Sequence, residues 1–64
     1  MEWEIIDSSL KYKTPKYILT IVECWSGYGG NIRSISGALV TTYFGYENLE
    51  VLKNDMISKL NSLD

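Results

Sequence analysis

The chain has 64 residues, a net charge of −2 and a hydrophobic fraction of 45%, which indicates one small domain over residues 1–64. A domain of this length buries only about 60% of the surface that its unfolded chain exposes, so it commonly needs disulfides, a metal or a partner subunit. Cys24 is the only cysteine, which excludes a disulfide within the chain, and there is no histidine for a usual zinc site. We therefore expect self-association as a homodimer or higher oligomer, with no metal and no cofactor.

The charge balance and the apolar pattern exclude further classes. Eight acidic residues against six basic ones give no bulk attraction to phosphate. The first residues lack the basic and apolar segments of a signal peptide, and no apolar run approaches the ~20 residues of a membrane span. With a free thiol and no export signal, we expect a cytoplasmic protein without membrane association.

The first predicted strand covers residues 2–12. Trp3 and Ile5 point to one side of it, whereas the apolar residues from Ile6 onward point to the other. A strand that changes its buried face commonly does so at a bulge or bend. The sequence therefore predicts an irregularity near residues 7–9, before a proline turn ends this segment.

The second predicted strand covers residues 17–26 and is rich in β-branched and aromatic residues. Alternate residues, among them Leu19 and Trp25, point to one side, and Val22 and Cys24 point to the other. Both sides are largely apolar, which predicts a central strand that is covered on both faces. One helix covers only one face, so the other requires sheet curvature, a partner subunit or a ligand.

Glycines dominate residues 26–31, which we interpret as the loop of a β-hairpin. The alternative is a phosphate-binding loop, but such loops lead into a helix, and here a strand pattern follows. This third predicted strand covers residues 32–44, and Gly37 indicates a bulge, a bend or a division into two strands. Successive strands joined by short turns pair antiparallel, which gives a sheet of three to four strands.

One C-terminal amphipathic helix is predicted over residues 47–62, because leucine and methionine recur there at a helical period. The fold class is therefore α+β, a curved antiparallel sheet followed by one helix (ββββα). The apolar stripe must cover the sheet, a partner helix or both. We identify it as the candidate oligomer interface, formed by Leu49, Leu52, Met56 and Leu60.

No catalytic constellation is found in the sequence, and we predict that the protein is not an enzyme. There is no histidine to serve as a general base near neutral pH. Cys24 lies within an apolar strand without an activating histidine, so we interpret it as a buried small hydrophobic residue. Glu2 and Glu4 share a strand face and could form an acid or metal pair, but we interpret them as a solvated strand edge.

Basic and aromatic residues interleave around the first turn and the glycine segment. Proteins that bind single-stranded nucleic acid combine aromatic platforms on a sheet with basic residues along a groove. The alternative interpretation is that the lysines solubilise a hairpin tip and the aromatic residues belong to the core. The candidate nucleic-acid-binding residues are Lys11, Lys13, Lys16, Tyr17, Trp25, Tyr28 and Arg33.

The order of these features resembles the positive cofactor four family of transcriptional coactivators. The resemblance runs from about Lys11 to Ile57 and includes the strand at residues 17–25, the glycine segment, the strand around Gly37 and the helix opening at residues 46–56. It implies a curved antiparallel sheet with one C-terminal helix, dimerisation and binding of single-stranded DNA. The family has a basic residue where this chain has Ser36, so fold and dimerisation carry over more directly than DNA binding.

The same resemblance leaves three functions open. The first is a homodimeric protein that binds single-stranded or distorted DNA. The second is a phage or mobile-element anti-defence protein, such as an anti-CRISPR protein, that acts on DNA topology or on a host defence protein. The third is a structural assembly subunit that uses its sheet edge or its helix for oligomer contacts.

Overall fold

The structure is a computed structural model that describes residues 2–63. Five antiparallel strands form one curved sheet in the order of the chain, and a single helix follows them, which confirms the predicted α+β architecture. The sheet has five strands rather than three to four. The elements are β1 (Glu4–Ile6), β2 (Ser9–Lys13), β3 (Tyr17–Cys24), β4 (Gly27–Ser34), β5 (Leu39–Tyr46) and α1 (Leu49–Leu63).

The additional strand arises because the predicted strand at residues 2–12 is a hairpin of β1 and β2. Ile6 pairs with Ser9, so Asp7 and Ser8 form a two-residue turn with φ of 51° and 65°. Positive φ at both positions matches the twist of the flanking strands and is the geometry of a type I′ turn. The change of parity near residues 7–9 therefore marks a reversal of the chain rather than a bulge within one strand.

The glycine segment is the second difference from the sequence prediction. The turn lies at Trp25 and Ser26, and the glycines belong to β4, where Gly30 pairs with Ile21 of β3. A Cβ atom added to Gly30 would overlap the carbonyl oxygen of Thr20. Glycine is therefore needed here for the close approach of two strand backbones, and not for a loop conformation.

Replacing Gly30 with alanine is expected to lower the free energy of unfolding by about 1–3 kcal/mol, the usual cost of overpacking. The atom that the new methyl group meets is backbone, which cannot rotate away. Denaturant unfolding of Gly30→Ala measures the loss. Gly45→Asn is the matched control, because Gly45 has a φ of 70° and open space around it, a backbone conformation that asparagine tolerates. Equal stability of the Gly30→Ala variant and the wild type would contradict this packing.

The predicted strand at residues 32–44 is divided at Gly37. Its first part completes β4, and the chain turns at residues 35–38, where Gly37 has a φ of 98°. β5 then pairs with β4, with irregular register at each end of the ladder. One strand, β5, follows Gly37.

The hydrophobic core lies between α1 and one face of the sheet, which we call the helix face. Asn48 caps α1, because its Oδ1 accepts hydrogen bonds from the backbone N–H groups of Glu50 and Val51 at 2.9 and 3.2 Å. The cap explains why the helix begins at Leu49 rather than at residue 47. The buried core residues are Leu19, Ile21 and Ile32 from the sheet and Leu52, Met56 and Leu60 from α1.

This packing changes the interpretation of the candidate oligomer interface. Leu52, Met56 and Leu60 are buried within a single chain, and Leu49 packs against the same core. Their contact surface is already covered by the chain's own sheet. An oligomer of this fold must therefore use other residues.

Candidate functional site

The sheet face opposite α1, which we call the open face, carries three of the predicted basic residues. Directly paired residues of an antiparallel sheet point to the same side. Lys11 pairs with Thr20, and its Nζ lies 3.3 Å from the Thr20 Oγ1. Lys13 pairs with Ile18, which in turn pairs with Arg33. Since neighbouring strands are about 4.8 Å apart, the Cα atoms of Lys13 and Arg33 lie about 10 Å apart.

These cations have no carboxylate partner in the described part of the chain. The ion pair found among residues 2–63 joins Lys53 and Glu50 of α1, at 3.3 Å. Arg33 instead donates a hydrogen bond from Nη1 to the carbonyl oxygen of Gly37, at 3.1 Å, which holds the guanidinium group beside the β4–β5 turn. Lys13 and Arg33 are exposed to solvent and Lys11 is half-buried. Three positive charges are therefore available to an anionic ligand.

The acidic residues lie mostly elsewhere. Within the strands, Glu4 pairs with Lys11 and so lies on the open face, at the β1 edge, whereas Glu23 pairs with Tyr28 on the helix face. The carboxylates of Glu50 and Asp55 belong to α1, on the other side of the sheet. The charge of the open face is therefore more positive than the net charge of −2 suggests.

A shallow slot follows the basic end of the open face. Gly29 pairs with Val22, and its missing side chain leaves a depression of about 180 Å³ that Val22, Cys24 and Phe44 also line. The Phe44 side chain is 81% exposed, and Val22 is 40% exposed. Cys24 is also exposed, so the prediction of a buried thiol was wrong, because α1 leaves this side of β3 uncovered. The slot thus presents apolar and aromatic surface to solvent, and the cations lie further along the same face, at the level of Ile18 and Thr20.

A row of polar side chains forms the end of the slot that faces the basic residues, since Asn31 and Thr42 line the slot. Thr20 pairs with Asn31, and Asn31 pairs with Thr42, so one row of hydroxyl and amide groups crosses β3, β4 and β5. These groups can donate and accept hydrogen bonds. Sequence reasoning did not identify this row or Phe44. No local pattern in the sequence marks Asn31. Its place beside Lys11 follows only from the pairing of both residues with Thr20.

Two predicted residues lie in the turns at opposite ends of β3. Lys16 is exposed in the β2–β3 turn, next to the basic end of the open face. Trp25 is fully exposed in the β3–β4 turn, beyond the slot. The sequence predicted that Trp25 lies on the same strand face as Leu19. In the structure β3 ends at Cys24, so Trp25 belongs to the turn and its indole is exposed to solvent.

The structure removes Tyr17 and Tyr28 from this site. Both lie on the helix face and pack against the core, since Tyr17 has the same parity as the buried Leu19 and Tyr28 pairs with Glu23. Their rings therefore serve packing in this fold and are not available to a ligand on the open face. The candidate nucleic-acid-binding set is reduced to Lys11, Lys13, Lys16, Trp25 and Arg33.

Two further tyrosines have raised pKa values, and both also lie on the helix face. The Tyr46 hydroxyl donates a hydrogen bond to Oδ2 of Asp55 at 2.6 Å, and this bond raises the pKa of Tyr46. Partial burial, together with the charge of Asp55, raises the pKa of Tyr43. These shifts stabilise neutral phenols where β5 meets α1 and do not mark a catalytic site.

A second depression, of about 190 Å³, lies at the end of the helix face and has a different character. Its lining includes Ile5, Leu10, Tyr28 and, unlike that of the slot, an acidic residue, Glu23. An anionic ligand would be repelled there. The open face is therefore the better candidate for a functional site.

No family model matches this chain, and no curated protein or solved structure matches it either. Across residues 2–63, no three cysteine and acidic side chains come together as metal ligands. Over the same residues, no helix is long and apolar enough to cross a membrane. The functional hypotheses therefore depend on the chemistry of the open face.

Proposed function

We propose that this protein binds single-stranded DNA through the open face of its sheet. The observation that carries the proposal is the position of Lys11, Lys13 and Arg33 on the face that α1 leaves uncovered. None of the three has a carboxylate partner among the described residues. Basic residues beside aromatic surface on a sheet are the usual combination in proteins that bind single strands.

Each part of the open face has a role in this binding mode. The three cations contact phosphates and release condensed counterions, which makes the affinity depend on salt. Phe44 and the slot over Gly29 accept an unstacked base, since every base has an apolar ring face. Asn31 and its threonine neighbours contact base edges and give modest sequence preference.

The fold favours a single strand over a duplex. Proteins that read duplex DNA commonly insert a helix or a β-ribbon into the major groove. The apolar stripe of α1 is buried against the sheet, and its two lysines, Lys53 and Lys59, are offset by Glu50 and Asp55, so α1 presents no net positive surface to a groove. A broad sheet face with an exposed phenylalanine suits unstacked bases better. The order of sheet and helix is also the one that the resemblance to the positive cofactor four family led us to expect.

Fluorescence anisotropy with labelled single-stranded and double-stranded oligonucleotides across a salt series tests the proposal. With three to four phosphate contacts, the plot of log K against log salt for a single strand should have a slope of about −2 to −3. The dissociation constant should lie near 10⁻⁴ to 10⁻⁶ M, roughly the range of non-specific binding, with weaker binding to the duplex. Absence of binding at low salt, or an affinity that salt does not change, would rule out this function.

A second candidate function is the binding of a protein, such as a host defence protein. The observation that favours it is the full exposure of Trp25 together with the exposed ring of Phe44, since aromatic residues dominate the energetics of protein interfaces. The same salt series separates the two candidates. An apolar protein interface would depend only weakly on salt, and it would not require Lys11, Lys13 and Arg33.

A further inference from the structure

The two edges of the sheet differ in how well they are protected. β1 has three residues, including Glu4, whereas β5 has eight residues and no charged side chain. β5 has a neighbouring strand, β4, on one side only. Natural proteins usually protect an edge strand by making it short, charged or bulged, because its free backbone groups pair readily with another strand.

The bulges of β5 do not protect its centre. The irregular positions in the β4–β5 ladder lie near its two ends, and the pairing is regular over residues 41–43. Leu39, Val40 and Phe44, which flank this segment, are exposed apolar residues. β5 therefore combines a regular, uncharged centre with apolar side chains on both sides of it.

We propose that β5 pairs antiparallel with β5 of a second copy of this chain, centred on Thr42. In an interface with two-fold symmetry, the same strand is present on both sides, so any charge near the axis would face its own copy. The absence of charge on β5 removes that repulsion. An uncharged strand of this kind suits a second copy better than it suits a charged partner.

The register about Thr42 also joins the exposed apolar residues. Val40 of one chain lies opposite Phe44 of the other, and Thr42 lies opposite its own copy. Pairs of a β-branched and an aromatic residue stabilise antiparallel strands. The contact covers the side of Phe44 that faces the second chain and leaves the side over Gly29 free. The pairing also buries part of the apolar surface that Val40 and Phe44 expose in a single chain.

Such a dimer places two open faces side by side in one continuous sheet. The binding surface proposed above is complete within one chain and does not require the second copy. The dimer is measured without DNA, and Lys11, Lys13 and Arg33 lie outside β5, so loss of DNA binding through these three residues would leave the dimer in place.

Sedimentation equilibrium on the DNA-free protein tests the pairing. The dimer dissociation constant of the wild type should be lower than about 1 mM. Thr42→Lys and Thr42→Glu each place like charges opposite one another and should raise the dimer dissociation constant about fivefold, whereas an equal mixture of the two variants should restore association. Ser36→Lys, in the exposed β4–β5 turn, is the control and should dimerise as the wild type does. A monomeric wild type, or variants that associate like the wild type, would overturn the proposal.

A cysteine variant gives a second measurement that does not depend on charge. Directly opposite residues in antiparallel strands have Cα atoms about 4.5–5.5 Å apart, which is within the range of a disulfide. Thr42→Cys in a Cys24→Ser background should therefore form a covalent dimer under dissolved oxygen. Ser36→Cys in the same background should not. Equal cross-linking of the two variants, or none at position 42, would contradict pairing about Thr42.

Discussion

Replacing Lys11, Lys13 and Arg33 together with glutamine is expected to abolish most of the affinity for single-stranded DNA. Each phosphate contact contributes about 0.7 to the magnitude of the salt slope, so the slope of the triple variant should be smaller in magnitude by about 2. If the two proteins bind equally weakly at 1 M salt, this difference in slope makes the affinity of the triple variant at 50 mM salt about two to three orders of magnitude lower than that of the wild type. Anisotropy titrations of both proteins across the salt series measure the slope and the affinity directly.

The control for this variant lowers the net charge by the same amount on the other side of the molecule. This control variant carries Ser58→Glu, Lys59→Gln and Asn61→Glu, all at exposed positions of α1. If the open face is the interface, this control keeps both the salt slope and most of the affinity. An equal loss of affinity in both triple variants would mean that only the overall charge matters. In that case Lys11, Lys13 and Arg33 would not define a site.

Replacing Trp25 with alanine is expected to weaken single-strand binding by about 1–3 kcal/mol, which is about 5- to 150-fold, because one stacked base loses its platform. The indole is fully exposed in the β3–β4 turn, so the change should leave the free energy of unfolding within about 0.5 kcal/mol of the wild type. In a Trp3→Phe background Trp25 is the only tryptophan. Its fluorescence should therefore be quenched when the oligonucleotide binds.

Val51→Ala is the matched control for Trp25→Ala. Val51 is also an exposed apolar residue, and it lies on α1, on the other side of the sheet from the open face. Its removal should not change the affinity. Unchanged binding by Trp25→Ala, without quenching of the indole, would show that the DNA does not reach the β3–β4 turn. The contact surface would then be limited to the basic end and the slot.

Local patterns in the sequence were sufficient for the class of fold. The β-branched run that became β3 identified a strand, and the helical period of Leu52, Met56 and Leu60 identified α1 and its buried side. The same period could not show what covers the stripe, because a chain's own sheet and a partner helix require the same apolar residues. Only the three-dimensional packing shows that the sheet covers it.

The differences in strand number have a local cause. Asp7 and Ser8 form a turn without glycine or proline, so the chain reversal was visible only as a change of parity. At the glycines of β4 the sequence predicted a loop where the structure has a strand. Glycines are typical of loops, but here they permit close contact between strands. Residues such as Gly30 cannot be assigned before the neighbouring strand is known.

The candidate site was predicted in part. The sequence identified an apolar second face of β3 that α1 cannot cover, and it named Lys11, Lys13 and Arg33. Tyr17 was included because it follows Lys16 in the chain, although its parity places it with the core. The sequence did not identify Phe44. Because the register of β5 is irregular near both ends, the side of the sheet on which Phe44 lies follows only from the pairing with β4.

Chemical-shift mapping tests the central claim, that the open face is the nucleic-acid interface, most directly. A ¹⁵N-labelled sample would be titrated with a short oligothymidine at low salt. We expect the largest amide shift changes around Lys11, Arg33 and Phe44, with Leu52 and Met56 of α1 unchanged. Changes confined to α1 and the helix face, or no changes at a large excess of the oligonucleotide, would contradict the proposed interface.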